Sequence, residues 1–259
     1  MFLYAITNRH LAGGQPVAQR EGLVALARTW AENGVAVVQL REKDLPALEL
    51  ISLAQAMHQA IRQVRAQISP IQKSPAQINS RQIDSRPRLV LNAPPAVALA
   101  AGADGVHLPA TLLATHPLDE IRSLFAADSN PSIGHLASQH HPGQAGDSTQ
   151  VWISVGCHTL DEVEQARNQH ADCILFAPVF EKKFGDRQLG ASQPGQVQSL
   201  PGVGMAALAD ACRIAHPVPV VALGGVTADN AAACIAAGAS GIAAIRLFHA
   251  SPHAWSTLL

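Results

Sequence analysis

Eight short aliphatic and β-branched runs, helical segments between them, and an echo at a fixed interval together predict an α/β chain folded as a single (β/α)8 barrel. The runs fall at 3–7, 35–41, 88–92, 105–108, 151–156, 173–180, 218–225 and 241–248. Each is close to continuously apolar, as parallel strands covered on both faces require. Between them, EGLVALARTWAENG (21–34), PALELISLAQAMHQAIRQV (46–64), TLDEVEQARNQH (159–170) and TADNAAACIAAG (227–238) carry apolar residues at helical spacing. Several end in a glycine suited to a helix C-cap. The echo lies in ENGVAVV, AGADGVHL, QHADCILF and AGASGIAAI, which place Gly34, Gly102, His170 and Gly238 at successive intervals of 68 residues. A four-fold βαβα repeat is what a closed barrel predicts; a doubly wound sheet, the competing arrangement, does not.

The whole chain, 1–259, is read as one domain. Two Gln-, Ser- and Pro-rich segments at 66–87 and 126–150 break the pattern and are expected to be flexible insertions. They precede the third and fifth strands, so they belong to the N-terminal face of the barrel, away from chemistry. The second holds His135, His140 and His141, for which a solvated loop is preferred to a metal site.

Composition narrows the function classes. With 48% hydrophobic and 14% charged residues the chain can bury a large core. A net charge of −1 provides no basic field for nucleic acid or a membrane surface. No stretch of about 18 residues is apolar enough to span a bilayer, and the opening MFLYAITNRH has too short an apolar run for a signal peptide. The four cysteines, Cys157, Cys173, Cys212 and Cys234, form no CxxC pair. Reduced thiols of a cytoplasmic protein are therefore expected, not a zinc site.

In a barrel of this kind the chemistry sits at the C-terminal strand ends. The second strand ends QLREKD, where alternation sends Gln39, Arg41 and Lys43 to one side of the mouth. An amide, a guanidinium and an ammonium suit a phosphate or diphosphate; the competing reading is a salt bridge to Glu42 or Asp44. The third strand ends on Asn92. The fourth ends HL, with His107 directed into the mouth, as either a buried structural histidine or a catalytic one. The fifth ends VGCHTLDE, placing His158 before an acidic first helical turn, where it suits acid–base work or, equally, a helix-capping or structural hydrogen bond. Packing is preferred to nucleophilic catalysis for Cys157. The sixth runs into APVFEKKFGDR, whose Lys182 and Lys183 sit on a loop able to fold over an anion. The seventh ends LGGVTADN, where Gly224 and Gly225 permit close backbone approach to a ligand and Thr227 or Asp229 can cap the next helix. Arg246 at the tip of the eighth strand completes the phosphate site common to such barrels.

QLREK, VLN, AGADGVHL, VGCHTLDE, APVFEKK and VALGGV, in that order, resemble the thiamine phosphate synthase / TenI family of TIM barrels. The resemblance covers nearly the whole chain apart from the two insertions. The synthases of that family join a hydroxymethylpyrimidine diphosphate to a thiazole phosphate and release pyrophosphate. TenI-type members are thiazole tautomerases, which aromatise a thiazole carboxylate phosphate by moving a proton. The resemblance implies that Gln39, Arg41, Lys43 and Asn92 hold the pyrimidine diphosphate. It implies that Gly224, Gly225 and the end of the eighth strand hold the thiazole phosphate, and that His158 is the tautomerase acid–base. Three departures stand out. The two Asp that bind Mg²⁺ in synthases are replaced by Ala93 and Leu112. The Thr- and Ser-rich loop before the catalytic lysine is replaced by EKKFGDR, and the serine of the eighth strand by Arg246. Mg²⁺ takes oxygen ligands, so no cofactor is expected unless the chain acts as a synthase.

The favoured expectation is a thiazole tautomerase with His158 shuttling the proton. The alternative is a divergent synthase in which Arg41, Lys43, Lys182 and Lys183 alone assist diphosphate departure. A non-catalytic thiazole phosphate binder is the third reading. The expected partners are small phosphate and diphosphate molecules, with no nucleic acid or membrane; family members often associate, which leaves a homo-oligomer open.

Overall fold

Side-chain alternation in the apolar runs needs an inside and an outside, and a closed sheet supplies both. The structure, a computed structural model, describes residues 1–68, 86–128, 151–184 and 198–250. Eight parallel strands form the barrel: β1 (Phe2–Ile6), β2 (Val35–Leu40), β3 (Arg88–Leu91), β4 (Gly105–Pro109), β5 (Trp152–Cys157), β6 (Cys173–Phe176), β9 (Val220–Leu223) and β10 (Gly241–Ala244). Their order around the barrel is β1-β10-β9-β6-β5-β4-β3-β2. A separate antiparallel ribbon pairs β7 (Lys182–Phe184) with β8 (Gln198–Leu200). Helices follow the barrel strands: α1 (Pro16–Glu32), α2 (Ala47–Gln67), α3 (Pro95–Ala100), α4 (Leu118–Asp128), α5 (Leu160–Asn168), α6 (Gly204–Ala215), α7 (Ala228–Ala236) and α8 (Arg246–Ala250).

The core has two layers. Tyr4, Ile6, Val37, Val90, Trp152, Cys173, Leu175, Val221 and Ala243 fill the barrel interior. A larger shell between sheet and helices includes Trp30, Leu53, Met57, Ile153, Phe176 and Phe248. No helix among the described residues is long and apolar enough to cross a membrane.

The fixed interval has a structural cause. Gly34, Gly102, His170 and Gly238 have φ of 82°, 64°, 61° and 102°, so each turns the chain from a helix end into the next strand in the left-handed region. His170 is the only non-glycine with positive φ among the described residues. Two of the four quarters share a further device. Asp104 accepts the Leu89 amide at 2.7 Å and Arg65 at 3.0 Å. Asp172 accepts the Ile153 amide at 2.8 Å and Arg122 at 3.0 Å. Each carboxylate thus fastens the preceding strand, and the helix that leads into that strand, to the start of the next strand.

Two predicted strands end early. The sixth leaves the sheet after Phe176, where Pro178 has no amide for the ladder. The eighth stops at Ala244 because Arg246–Ala250 winds into α8. That turn buries Phe248 edge-on against Trp30, whose indole N–H donates to the Phe248 carbonyl at 3.1 Å. α2 and α4 extend to Gln67 and Asp128, into the predicted insertions. The remaining expectations for those insertions, including His135, His140 and His141, fall outside the described residues.

Candidate active site

Parallel closure brings every C-terminal strand end to one rim, so the candidate side chains are sorted by what each meets there. Gln39 is buried on the inner side of β2, and its amide nitrogen has no hydrogen-bond partner among the described residues. Arg41 follows, half-buried, with its backbone amide donating to Thr7 Oγ1 at 3.0 Å; Lys43 is exposed. The neighbouring carboxylates do not pair with these two cations. Buried Glu42 accepts from the Thr7 hydroxyl at 2.7 Å and from the Arg9 amide at 3.1 Å. The Arg9 guanidinium forks onto Asp44, with both contacts at 2.5 Å, and reaches Glu42 at 3.4 Å. Hydrogen bonds from Arg9 hold the Asp44 carboxyl below its usual range. Among the described residues, Arg41 and Lys43 therefore have no ion-pair partner, and the competing salt bridge belongs to Arg9.

The β2–β3 register pairs Leu40 with Leu91, so the next step sets Asn92 beside Arg41. The Asn92 amide donates to the Leu40 carbonyl at 3.0 Å. Ala93 and Leu112 are half-buried and packed against the apolar core. The described residues include no cluster of three His, Cys, Asp or Glu side chains able to hold a metal ion. The donor set that the resemblance implies for Mg²⁺ thus does not fit here: apolar carbon stands at both positions.

His107 lies on the inner face of β4, opposite Ser154 of β5, with Nδ1 2.9 Å from the serine hydroxyl. The Tyr4 hydroxyl lies 3.1 Å from the same oxygen. Burial, with a smaller contribution from the charge of Arg41, pushes the His107 imidazole down to about 3, so it is neutral.

His158 follows β5 and is exposed. Its Nδ1 lies 2.7 Å from the Ala177 carbonyl, which can only accept; Nδ1 therefore carries the proton and Nε2 is the open base position. Its backbone amide donates to Glu162 at 2.5 Å, and Thr159 with Glu162 forms a capping box at the start of α5. Burial pushes the neighbouring Cys157 thiol up to about 12, which fits the packing role.

Gly224 and Gly225 have φ of 93° and 67°. A Cβ on Gly224 would lie 2.7 Å from the Pro178 Cα, and one on Gly225 2.7 Å from the Phe180 Cβ. The glycines thus first satisfy packing against the Pro178–Glu181 segment, which also donates from the Val179 and Phe180 amides to Leu223 and Gly224. Thr227 is the N-cap of α7, with its amide donating to the Asn230 side chain at 2.8 Å. Arg246 opens α8 two residues beyond β10 instead of ending the strand. Lys182 and Lys183 lie in β7, opposite Leu200 and Ser199, where a loop was expected.

Sequence reasoning passed over Thr7, Arg9, Tyr4 and Ser154. Tyr4 is the only tyrosine of the chain and Ser154 a hydroxyl within an apolar strand; both were legible as polar intrusions into a barrel interior.

Comparison with known proteins places the chain in a family and supports its fold. The family model described as thiamine monophosphate synthase matches residues 135–248. A thiamine-phosphate synthase of Methanoculleus marisnigri is 31% identical over 94% of this chain and 85% of its own length. One of Moorella thermoacetica is 29% identical over 94% of this chain and 85% of its own. The solved thiamine phosphate pyrophosphorylase of Pyrococcus furiosus superposes with a TM-score of 0.60 at 20% identity, covering 96% of this chain and 87% of the other, which supports the barrel fold.

Proposed function

Because the chain belongs to the thiamine monophosphate synthase family, we propose that it joins a hydroxymethylpyrimidine diphosphate to a thiazole phosphate and releases pyrophosphate. The names of its relatives favour this reaction over the proton transfer that the sequence favoured. The observation that carries the reading is the state of the second strand end. Arg9 binds Glu42 and Asp44, so among the described residues Arg41 and Lys43 are cations without carboxylate partners, with Arg41 beside Asn92. In the reaction the thiazole nitrogen forms its bond to the pyrimidine methylene as the C–O bond breaks, and the electron pair leaves with the diphosphate. Fixed cations at the departing oxygens stabilise that growing charge. Lys182 and Lys183 are assigned to the same anion, and Gly224, Gly225 and Arg246 to the phosphate of the thiazole. Ala93 and Leu112 provide no ligand for Mg²⁺.

One observation supports thiazole tautomerisation as the second reading. The His158 imidazole is held by Ala177 with Nε2 open, the arrangement a proton shuttle needs. A direct comparison separates the two. The purified protein is given the pyrimidine diphosphate and thiazole phosphate, with Mg²⁺ and with chelator, and separately the thiazole carboxylate phosphate. Coupling that Arg41→Ala abolishes supports the proposal. Isomerisation lost in His158→Ala, with no coupling under either metal condition, overturns it in favour of the tautomerase.

A further inference from the structure

The hydroxyl pair inside the barrel determines what His107 can offer a ligand. Tyr4 is fully buried, and Ser154 is the only hydrogen-bond partner of its hydroxyl among the described residues. Ser154 is also fully buried and touches both Tyr4 and His107 Nδ1. Nδ1–H and the Tyr4 hydroxyl could both donate to Ser154, but the buried serine proton would then have no acceptor among the described residues, which leaves two proton arrangements to compare. If Nδ1–H donated to Ser154 and Ser154 donated to Tyr4, the phenol proton would be left in an apolar interior without an acceptor. If Tyr4 donates to Ser154 and Ser154 donates to Nδ1, every interior donor is satisfied. The second arrangement leaves the proton of the imidazole on Nε2. That atom has no hydrogen-bond partner among the described residues. It lies over Gly156 at the end of β5, where a Cβ would stand 3.1 Å away, so the absent side chain keeps its approach open.

We propose that Tyr4 and Ser154 are positioning residues that hold His107 as its Nε2–H tautomer, a fixed donor that selects a hydrogen-bond acceptor on the substrate at the barrel mouth. The part concerning substrate rests on the synthase reading above; the tautomer does not. Because burial keeps the imidazole neutral, the group presents a donor and is no acid–base. Its selectivity is of the kind in which a substrate lacking the acceptor leaves a buried donor unpaired.

The test is long-range 1H–15N correlation on the full, uniformly labelled chain near neutral pH, with His107 assigned by its loss in His107→Gln. The expected result is a pyrrole-type Nε2 and a pyridine-type Nδ1. An Nδ1–H signature in the unaltered protein overturns the proposal without recourse to any variant. Ser154→Ala should erase the preference and Ser154→Thr, which keeps the hydroxyl, should retain it; an unchanged tautomer in Ser154→Ala also overturns it. In the coupling assay Ser154→Ala should lower kcat/KM about tenfold, the scale of one hydrogen bond, with recovery in Ser154→Thr. Absence of coupling in the unaltered protein would sink the synthase reading and leave the tautomer result standing. A shifted tautomer with unchanged kcat/KM would overturn the role assigned to the pair in the reaction.

Discussion

Replacing His170 by glycine should stabilise the protein. His170 holds a φ of 61° at the point where three other quarters of the barrel hold a glycine. An L side chain in the left-handed region costs about 1–2 kcal/mol. Glycine escapes that cost but gives up about 0.5–1 kcal/mol through a freer unfolded chain. Little else changes, because the imidazole is exposed and makes no hydrogen bond among the described residues. The backbone bonds survive the exchange: the amide to the Arg167 carbonyl at 2.9 Å, and the carbonyl from Arg122 at 2.8 Å. The balance is a gain of about 0–1.5 kcal/mol, centred near 0.75 kcal/mol, or a rise in Tm of about 2–3 °C at that centre for a domain of this size. The inverse change supplies the control. A Cβ on Gly102 would meet nothing within 4 Å, so Gly102→Ala carries only the conformational cost and should lower Tm by a similar amount. Thermal unfolding of both variants by calorimetry decides the matter. A lower Tm for His170→Gly, or a higher one for Gly102→Ala, would show that the four positions are not equivalent and that the repeat is an accident of spacing.

Arg9→Met should weaken inorganic pyrophosphate binding about tenfold by calorimetry, because Glu42 and Asp44 would then face Arg41 and Lys43; undiminished affinity would refute the partition of charges. Asp104→Asn should cost about 3 kcal/mol in denaturant unfolding, since it strands Arg65 and His58 beside a neutral amide. Burial opposes ionisation of Asp104, yet hydrogen bonds and charge from His58 and Arg65 outweigh it and hold the carboxyl below its usual range. Its contribution is therefore complete above about pH 4 and fades as pH falls toward the folded value, so the gap between variant and parent should narrow in acid. Cys157, with its thiol pushed up to about 12 by burial and by Glu162, should react with iodoacetamide at least about a hundredfold more slowly in the folded protein than when unfolded; rapid labelling of the native chain would contradict that.

The barrel was legible because it rests on local signals: apolar runs of strand length, helical periodicity and left-handed turns at one interval. What escaped is contact between residues far apart in sequence. Arg9 meets Glu42 and Asp44 across 33 and 35 positions, and Tyr4 meets Ser154 across 150. Nothing in QLREKD says that its carboxylates are already taken. The Gly224–Gly225 pair shows a different limit. A glycine signals that a backbone comes close, and here the backbone that comes close is the protein's own segment at Pro178–Glu181. Lys182 and Lys183 read as loop because the strand that pairs with them begins only at Gln198. The tautomerase preference followed from two missing carboxylates, a local reading; the similarity along the whole chain weighs toward coupling.

The missing carboxylates and the Arg9 clamp bear on the same electrostatic question. A metal-assisted site neutralises a diphosphate with an ion held by acidic side chains, so the site itself must carry negative charge. Removing the metal while keeping those acids would leave the substrate facing repulsion. Here the two positions are carbon, and the other acids of the rim segment, Glu42 and Asp44, are bound by Arg9. Arg9 anchors them to the β1 end through its own backbone amide as well as its side chain, so the arrangement is in place before any ligand arrives. In the proposed reaction Arg41 and Lys43 supply their charge without an ion to assemble it, and charge already present at the departing oxygens stabilises the leaving diphosphate. For the proposed reaction, carbon at Ala93 and Leu112 and the binding of Glu42 and Asp44 by Arg9 are thus mutually consistent, since both remove negative charge that a diphosphate would meet at the second strand end.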